Sequence, residues 1–197
     1  MKMNLPNKLT VLRILLVPVF LLLFMLRLYL LACLVFVAAS LTDLLDGKIA
    51  REQGLVTNLG KFLDPIADKV LTTAAFVAIL ATMGGEAAWL WTWCLVLILA
   101  REFVVATVRM MAAGGGEVVA ADMWGKVKTV MQYVVIIFVL VMLEVSSWEF
   151  LYGPVFDVVL GVAELLALLM MVATTVATVI SGVRYVKQNW HFIGEDN

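Results

Sequence analysis

Charged residues are scarce in this chain. Only 15% of its 197 residues are Asp, Glu, Lys or Arg, whereas 64% are hydrophobic. Water-soluble domains contain about 25% charged and about 45–50% apolar residues, so the balance excludes an ordinary soluble domain and predicts a membrane protein. Because the net charge is only −1, no excess of positive charge is present to attract nucleic acid, and we expect no nucleic-acid partner.

Cysteine and histidine are also nearly missing. The two cysteines, Cys33 and Cys94, lie in separate apolar runs, and the single histidine, His191, lies in the polar C-terminal tail. These positions argue against a disulfide framework and against a zinc site. They also offer no Ser-His or Cys-His pair for nucleophilic catalysis, so any chemistry must depend on other side chains.

Long apolar runs are abundant, and they predict six transmembrane helices of about 20 residues each. The predicted spans are Leu9–Leu26, Leu28–Ile49, Phe62–Met83, Ala87–Met111, Trp124–Leu143 and Val158–Val183. Only Arg27 separates the first two, without Gly or Pro to form a turn, so one long helix and five spans in all is the alternative.

Residues Asn4–Arg13 mix polar and leucine positions, which predicts a short interfacial amphipathic helix leading into the first span. Gly84-Gly85 is expected to form the tight turn between the third and fourth spans. No repeat or low-complexity tract divides the chain. The predicted fold is therefore an all-α integral membrane protein with six transmembrane helices and a short N-terminal interfacial helix, in a single domain covering residues 1–197.

The distribution of charge favours six spans over five. Six spans place thirteen of the fourteen basic residues on the same side as the N-terminus, with Arg27 the exception, and Glu86, Glu144, Glu149 and Asp157 on the other side. Basic residues concentrate on the cytoplasmic side of membrane proteins. We therefore expect a multi-pass protein of the cell (inner) membrane with both termini in the cytoplasm.

Four carboxylates cluster where the second and third predicted helices meet. Asp43 and Asp46 are three residues apart, and Asp64 and Asp68 are four apart, so each pair lies on one helical face. The small residues Gly47, Ala50 and Gly60 share these two faces.

A metal site follows from this clustering. Acids within a span are costly, and four acids that close would repel one another unless a cation neutralised them. Oxygen donors without His or Cys indicate Mg²⁺, Mn²⁺ or Ca²⁺. Space beside the metal and neighbouring cations such as Lys48, Arg51, Lys61 and Lys69 suit a diphosphate ligand.

The same residues resemble a known family. Asp43-Leu44-Leu45-Asp46-Gly47-Lys48-Ile49-Ala50-Arg51, followed by Gly60, Asp64 and Asp68 at their spacing, is similar to the motif of the CDP-alcohol phosphatidyltransferases, with every fixed position met. The resemblance implies that Asp43, Asp46, Asp64 and Asp68 bind two divalent ions, Mg²⁺ or Mn²⁺, and that Asp68 is also the general base. It implies that the CDP-lipid contacts are Asn7, Thr10, Gly47, Ala50, Arg51 and Gly60. It further implies CDP-diacylglycerol as donor and a homodimer in membrane lipid.

Several other stretches resemble the members of this family whose acceptor is glycerol 3-phosphate. They include Asn4–Thr10, Gly60–Lys69 and Gly125–Thr129 with Gln132. A phosphorylated acceptor needs cations, and a neutral alcohol does not. The predicted phosphate-binding residues are Arg101, Arg109, Lys126 and Lys128, although ordinary positive-inside anchoring is the alternative explanation for them.

Three other functions remain open from the sequence. The acceptor could be inositol phosphate, serine or phosphatidylglycerol. A membrane prenyltransferase also uses aspartates and Mg²⁺ on a diphosphate, but it usually has more spans and a different spacing of acids. A cation transporter is the non-enzymatic alternative, and it would favour mid-span acids and an inverted repeat, neither of which is evident here.

Overall fold

The computed structural model describes residues 5–52, 58–114, 123–148, 150 and 152–190, with side chains for all of these except residues 5–6, 43–52, 58–65, 68 and 113–114. Within these ranges the chain forms six α-helices and no strand. They are α1 (Leu5–Met25), α2 (Tyr29–Glu52), α3 (Asn58–Leu80), α4 (Gly85–Gly114), α5 (Met123–Ser146) and α6 (Pro154–Gln188). The predicted all-α fold is confirmed.

The break between α1 and α2 falls at Arg27, which has a positive φ of 60°. The Arg27 N–H donates to the carbonyl of Phe24 at 3.0 Å, and the Leu28 N–H donates to the carbonyl of Leu23 at 3.0 Å. This pair of bonds is the Schellman arrangement that satisfies the last carbonyls of a helix, and its left-handed residue is usually glycine. The prediction of two helices divided at Arg27 is therefore confirmed, and the single long helix is wrong.

We expect Arg27→Gly to stabilise the protein by up to about 1 kcal/mol, because glycine adopts a positive φ without the steric cost that a Cβ imposes. SDS-induced unfolding followed by circular dichroism measures the change. Arg27→Ala is the matched control, since it removes the charge and keeps the Cβ. Unfolding of the glycine variant at or below the SDS fraction that unfolds the alanine variant would contradict this account.

The first helix contains residues 5–13 of the segment for which a short interfacial helix leading into the first span was predicted. This segment is helical, but α1 runs from Leu5 to Met25 without interruption and includes Pro18. The segment therefore forms the first turns of a span-length helix. The predicted turn at Gly84-Gly85 is confirmed, because α3 ends at Leu80 and Gly85 has a φ of 61° where α4 begins.

Contacts divide the chain into two compact units. The first comprises Met1–Thr82 and Ile136–Leu160, and the second comprises Met83–Val135 and Gly161–Asn197. Each unit is described here by itself.

In the first unit, α1 packs against both α2 and α3. Phe20 of α1 lies 6.1 Å from Phe36 of α2 between ring centroids, and Phe24 lies 5.2 Å from Tyr29 with the rings edge to face. These two pairs show that α1 and α2 are antiparallel, with the end of α1 beside the start of α2. Tilted aromatic pairs of this kind add to the free energy gained by burial.

The start of α2 is capped by a carboxylate from α5. The Leu30 N–H donates to Oε2 of Glu144 at 2.8 Å, and the Trp148 indole N–H donates to Oε1 at 3.4 Å. The first N–H groups of a helix have no partner within it, and negative charge there is favourable. Glu144 therefore fixes the end of α5 at the start of α2.

The long helices are apolar enough to cross a bilayer. Asn7–Met25, Met123–Ser146 and Pro154–Gln188 qualify as spans by length and hydropathy, and Tyr29–Thr42 and Lys69–Leu80 are shorter apolar helices in the described part of the chain. Large apolar side chains are exposed along them, as on α6 at Val158, Val162, Leu165 and Leu169. Such surfaces are expected to face lipid, so the protein is a membrane protein.

Candidate active site

The buried face of α1 changes from polar to apolar along the helix. Asn7, Thr10 and Arg13 are buried at its start, and Val17, Phe20 and Phe24 continue the same face at intervals of three and four residues. Arg13 is only 1% exposed. A buried guanidinium is rare unless it is paired, so this end of α1 is a polar site inside the protein.

The register of the α1–α2 pair places this polar end beside the carboxylate motif. Phe20 pairs with Phe36 and Phe24 with Tyr29 in antiparallel helices. Because both helices rise by about 1.5 Å per residue, Thr10 lies level with roughly the first turn of Asp43–Ala50, and Asn7 lies level with the turn that follows. Asn7 and Thr10, predicted to contact the CDP-lipid, thus lie at the level of the motif predicted to hold the rest of that ligand.

The four predicted metal ligands lie on helical backbone in the first unit. Asp43 and Asp46 are in the last turns of α2, and Asp64 and Asp68 are in the first three turns of α3. Their side chains, and those of Gly47, Ala50, Arg51 and Gly60, lie outside the described residues. The helical backbone confirms that each pair of aspartates shares one face, since residues three and four apart are neighbours on a helix.

The donor set of these helices fits a hard divalent cation. Its four carboxylates supply oxygen donors, which Mg²⁺ and Mn²⁺ prefer. Among the side chains that the structure describes, no group of three or more His, Cys, Asp or Glu is present, and these four acids are not part of that set. Metal binding therefore stays a prediction.

In the second unit, Arg101, Glu102 and Lys128 form a buried charged cluster between α4 and α5. Glu102 Oε1 accepts a hydrogen bond from Arg101 Nη1 at 3.3 Å and is also ion-paired with the ammonium of Lys128. Glu102 is 9% exposed and Lys128 is 5% exposed. The ammonium of Lys128 is consequently occupied by its ion pair with Glu102. This pairing weakens the prediction that Lys128 binds phosphate directly.

Arg109 lies two turns beyond Arg101 on α4, and both contact α6. Arg101 Nη2 donates to the Ser181 hydroxyl at 2.8 Å, and Arg109 Nε donates to the Tyr185 hydroxyl at 3.3 Å. The Arg109 guanidinium carbon is 5.4 Å from the centroid of the Tyr185 ring. The side chain of Arg109 is otherwise exposed.

With Arg109 included, the cluster has the hydrogen-bond donors and the positive charge to bind an anion. Together Arg101, Arg109, Lys128 and Glu102 leave a net charge of +2, which matches a phosphate monoester of about −1.5 to −2 at pH 7. Within the described part of the chain, buried Arg101 Nε has no hydrogen-bond partner, and neither Nη atom of Arg109 donates to the protein. Lys126, the fourth predicted ligand, is exposed and forms no hydrogen bond or ion pair with this cluster among the described residues.

The residues of α6 that border this cluster were not predicted from the sequence. Ser181, Gly182 and Tyr185 are buried, as is Gln132 of α5, whose Nε2 has no hydrogen-bond partner in the described ranges. The available signal was the polar face of α6, where Thr174, Thr178, Ser181 and Tyr185 recur at intervals of three and four residues.

An all-helical membrane protein with an aspartate motif on two consecutive helices and a partly buried cluster of net positive charge suits the chemistry of phosphate-containing lipids. Comparison with known proteins defines the family. A family model for CDP-alcohol phosphatidyltransferases matches residues 3–180. The chain belongs to the CDP-alcohol phosphatidyltransferase family.

Relatives with similar sequences bear specific names. The "CDP-diacylglycerol--glycerol-3-phosphate 3-phosphatidyltransferase" of Bacillus subtilis strain 168 is 38% identical over 209 aligned residues, covering 98% of this chain and 99% of the relative. The "Probable phosphatidylglycerophosphate synthase" of Mycobacterium tuberculosis strain H37Rv is 37% identical, covering 97% and 84%. The Pseudomonas fluorescens protein named as in Bacillus is 36% identical, covering 81% and 83%.

Proposed function

We propose that this protein transfers the phosphatidyl group from CDP-diacylglycerol to sn-glycerol 3-phosphate, which gives phosphatidylglycerophosphate and CMP. The observation that carries the proposal is the cationic cluster of Arg101 and Arg109, whose net charge and remaining donors suit a phosphate monoester. Relatives at 36–38% identity, named for this reaction, support the choice of acceptor.

The reaction requires a hydroxyl of the acceptor to attack the phosphorus atom on the lipid side of the diphosphate. A new oxygen–phosphorus bond forms, the bond to the bridging oxygen breaks, and CMP leaves with that oxygen. Asp68 takes the proton of the attacking hydroxyl. Arg101 and Arg109 hold the acceptor's phosphate, and Lys126 and Lys128 add positive charge for it.

Asp43, Asp46, Asp64 and Asp68 would hold Mg²⁺ or Mn²⁺, two ions in our proposal. Such ions, when bound, neutralise the diphosphate and the negative charge that develops on CMP. The protein's own contribution at this place is to fix two carboxylate pairs on neighbouring helices and to keep small residues, Gly47, Ala50 and Gly60, beside them.

The CDP-lipid contacts in this proposal are Asn7 and Thr10 on α1, Gly47, Ala50 and Arg51 on α2, and Gly60 on α3. The burial of Asn7 and Thr10 beside α2 supports their part in it. We further propose that all six helices cross the cell (inner) membrane, that both termini and the site face the cytoplasm, and that the protein is a homodimer with one domain per chain.

The function is tested by CMP release from CDP-diacylglycerol by the purified protein in detergent or lipid. We expect release with glycerol 3-phosphate after addition of Mg²⁺ or Mn²⁺, and none after chelation of the metal. Inositol phosphate, serine and phosphatidylglycerol are assayed in parallel at the same concentration. Release of CMP with one of these acceptors and none with glycerol 3-phosphate would show that the proposed acceptor is wrong.

A further inference from the structure

Helix α6 contacts both arginines of the proposed acceptor site. Ser181 accepts a hydrogen bond from Arg101 Nη2 at 2.8 Å, and Tyr185, one turn further on, accepts from Arg109 Nε at 3.3 Å. Each bond occupies one nitrogen of a guanidinium that has five N–H donors. The contacts with α6 therefore fix both side chains and leave other donors for a ligand.

The side chain of Tyr185 is held in place by burial and packing. It is 2% exposed and packs with Val105 and Val108 of α4 and with Val186. A buried tyrosine hydroxyl ordinarily finds a hydrogen-bond partner, and here the partner is Arg109. Because packing restricts the movement of the ring, its hydroxyl stays in one place and accepts the hydrogen bond from Arg109 there.

Gly182 permits the close approach of Arg101 to α6. A Cβ placed on Gly182 would lie 2.5 Å from Cγ of Arg101, a separation that real Cβ atoms essentially never show. Cγ belongs to the stem of the side chain near its own helix, so a small rotation at the guanidinium end does not relieve the clash. Glycine is unfavourable in the interior of a helix. At position 182 it is explained by the Arg101 side chain, which occupies the space that a Cβ would need.

We propose that Ser181, Gly182 and Tyr185 are positioning residues, which hold Arg101 and Arg109 in the conformations that bind the phosphate of the acceptor. The proposal rests on the proposed function. A free arginine side chain loses rotational freedom when it binds a ligand. When folding orders the two arginines beforehand, that loss is removed from the binding step, and affinity for the acceptor rises.

The contacts could alternatively serve only to hold α4 against α6, and steady-state kinetics separate the two roles. A positioning role predicts a higher KM for glycerol 3-phosphate with the KM for CDP-diacylglycerol unchanged. For Tyr185→Phe and for Ser181→Ala, each of which removes one hydroxyl, we expect an increase of about three- to tenfold. For Gly182→Ala, which displaces the stem of Arg101, we expect about tenfold or more.

The chain supplies a matched control and a rescue. Thr178 is a buried hydroxyl one turn before Ser181, but it donates to the carbonyl of Thr174 in its own helix at 2.7 Å. Thr178→Val should therefore leave both KM values unchanged. Ser181→Thr retains the hydroxyl and should remain within about twofold of the unmodified protein, since the acceptor for Arg101 is preserved.

The wild-type protein is assayed first. If it releases no CMP with glycerol 3-phosphate, the proposed function fails, whatever the variants do. If it does release CMP, then unchanged KM values in Tyr185→Phe and Ser181→Ala overturn the positioning role, and so does an equal rise in both KM values. A rise confined to glycerol 3-phosphate, absent in Thr178→Val and largely reversed in Ser181→Thr, supports it.

Discussion

Asp68→Asn is expected to lower CMP release by at least about a hundredfold, and by up to about 10⁴-fold, because the amide cannot accept the proton of the attacking hydroxyl. The substitution also removes one of the four carboxylates that we propose as metal ligands on α2 and α3. Initial rates at saturating CDP-diacylglycerol and glycerol 3-phosphate, over a range of Mg²⁺ concentrations, measure the loss.

Asp157→Asn is the matched control, because Asp157 is an exposed carboxylate in the first turn of α6. It should retain nearly full activity. Equal helical content and equal elution volume in detergent show that the Asp68 variant is folded. If saturating Mg²⁺ restored the Asp68 variant to more than about one tenth of the wild-type rate, the carboxylate would be only a metal ligand, and its role as general base would be wrong.

The sequence predicted the helices better than their ends. The separation of α1 and α2 followed from the side on which basic residues would lie, because no turn residue marks it. The structure explains the missing signal, since Arg27 adopts the left-handed conformation that glycine normally takes. The start of α1 was predicted as a short interfacial helix leading into the first span, but a single helix runs from Leu5 past Pro18 to Met25.

Local spacing could predict the carboxylate faces, because residues three and four apart are neighbours on any helix. It could not predict the α6 side of the cationic cluster. Arg101 and Ser181 are 80 residues apart, and Arg109 and Tyr185 are 76 apart. Small and hydroxyl residues such as Ser181 and Gly182 are also common in membrane helices, so their presence in an apolar run is a weak signal.

The pairing of Lys128 with Glu102 shows the same limit. In the sequence both are charges near the ends of predicted spans, and Lys128 was expected to contact phosphate. The structure buries the two side chains against each other across α4 and α5, and Glu102 also accepts from Arg101. Only the tertiary arrangement distinguishes a cation that neutralises a buried acid from a cation that is available to a substrate.

Glu102→Gln is therefore expected to destabilise the protein by about 3 kcal/mol or more, since it leaves Lys128 and Arg101 as buried like charges without a counter-ion. Lys128→Met in the same chain should restore at least about half of the loss, because it removes one of the two uncompensated charges. SDS-induced unfolding of the single and double variants measures both effects.

Glu164→Gln is the control, because Glu164 is an exposed carboxylate on α6, and it should change the free energy of unfolding by less than about 0.5 kcal/mol. Additive losses in the double variant would mean that Glu102 and Lys128 do not stabilise one another, and the cluster would then owe its order to Arg101 and α6 alone.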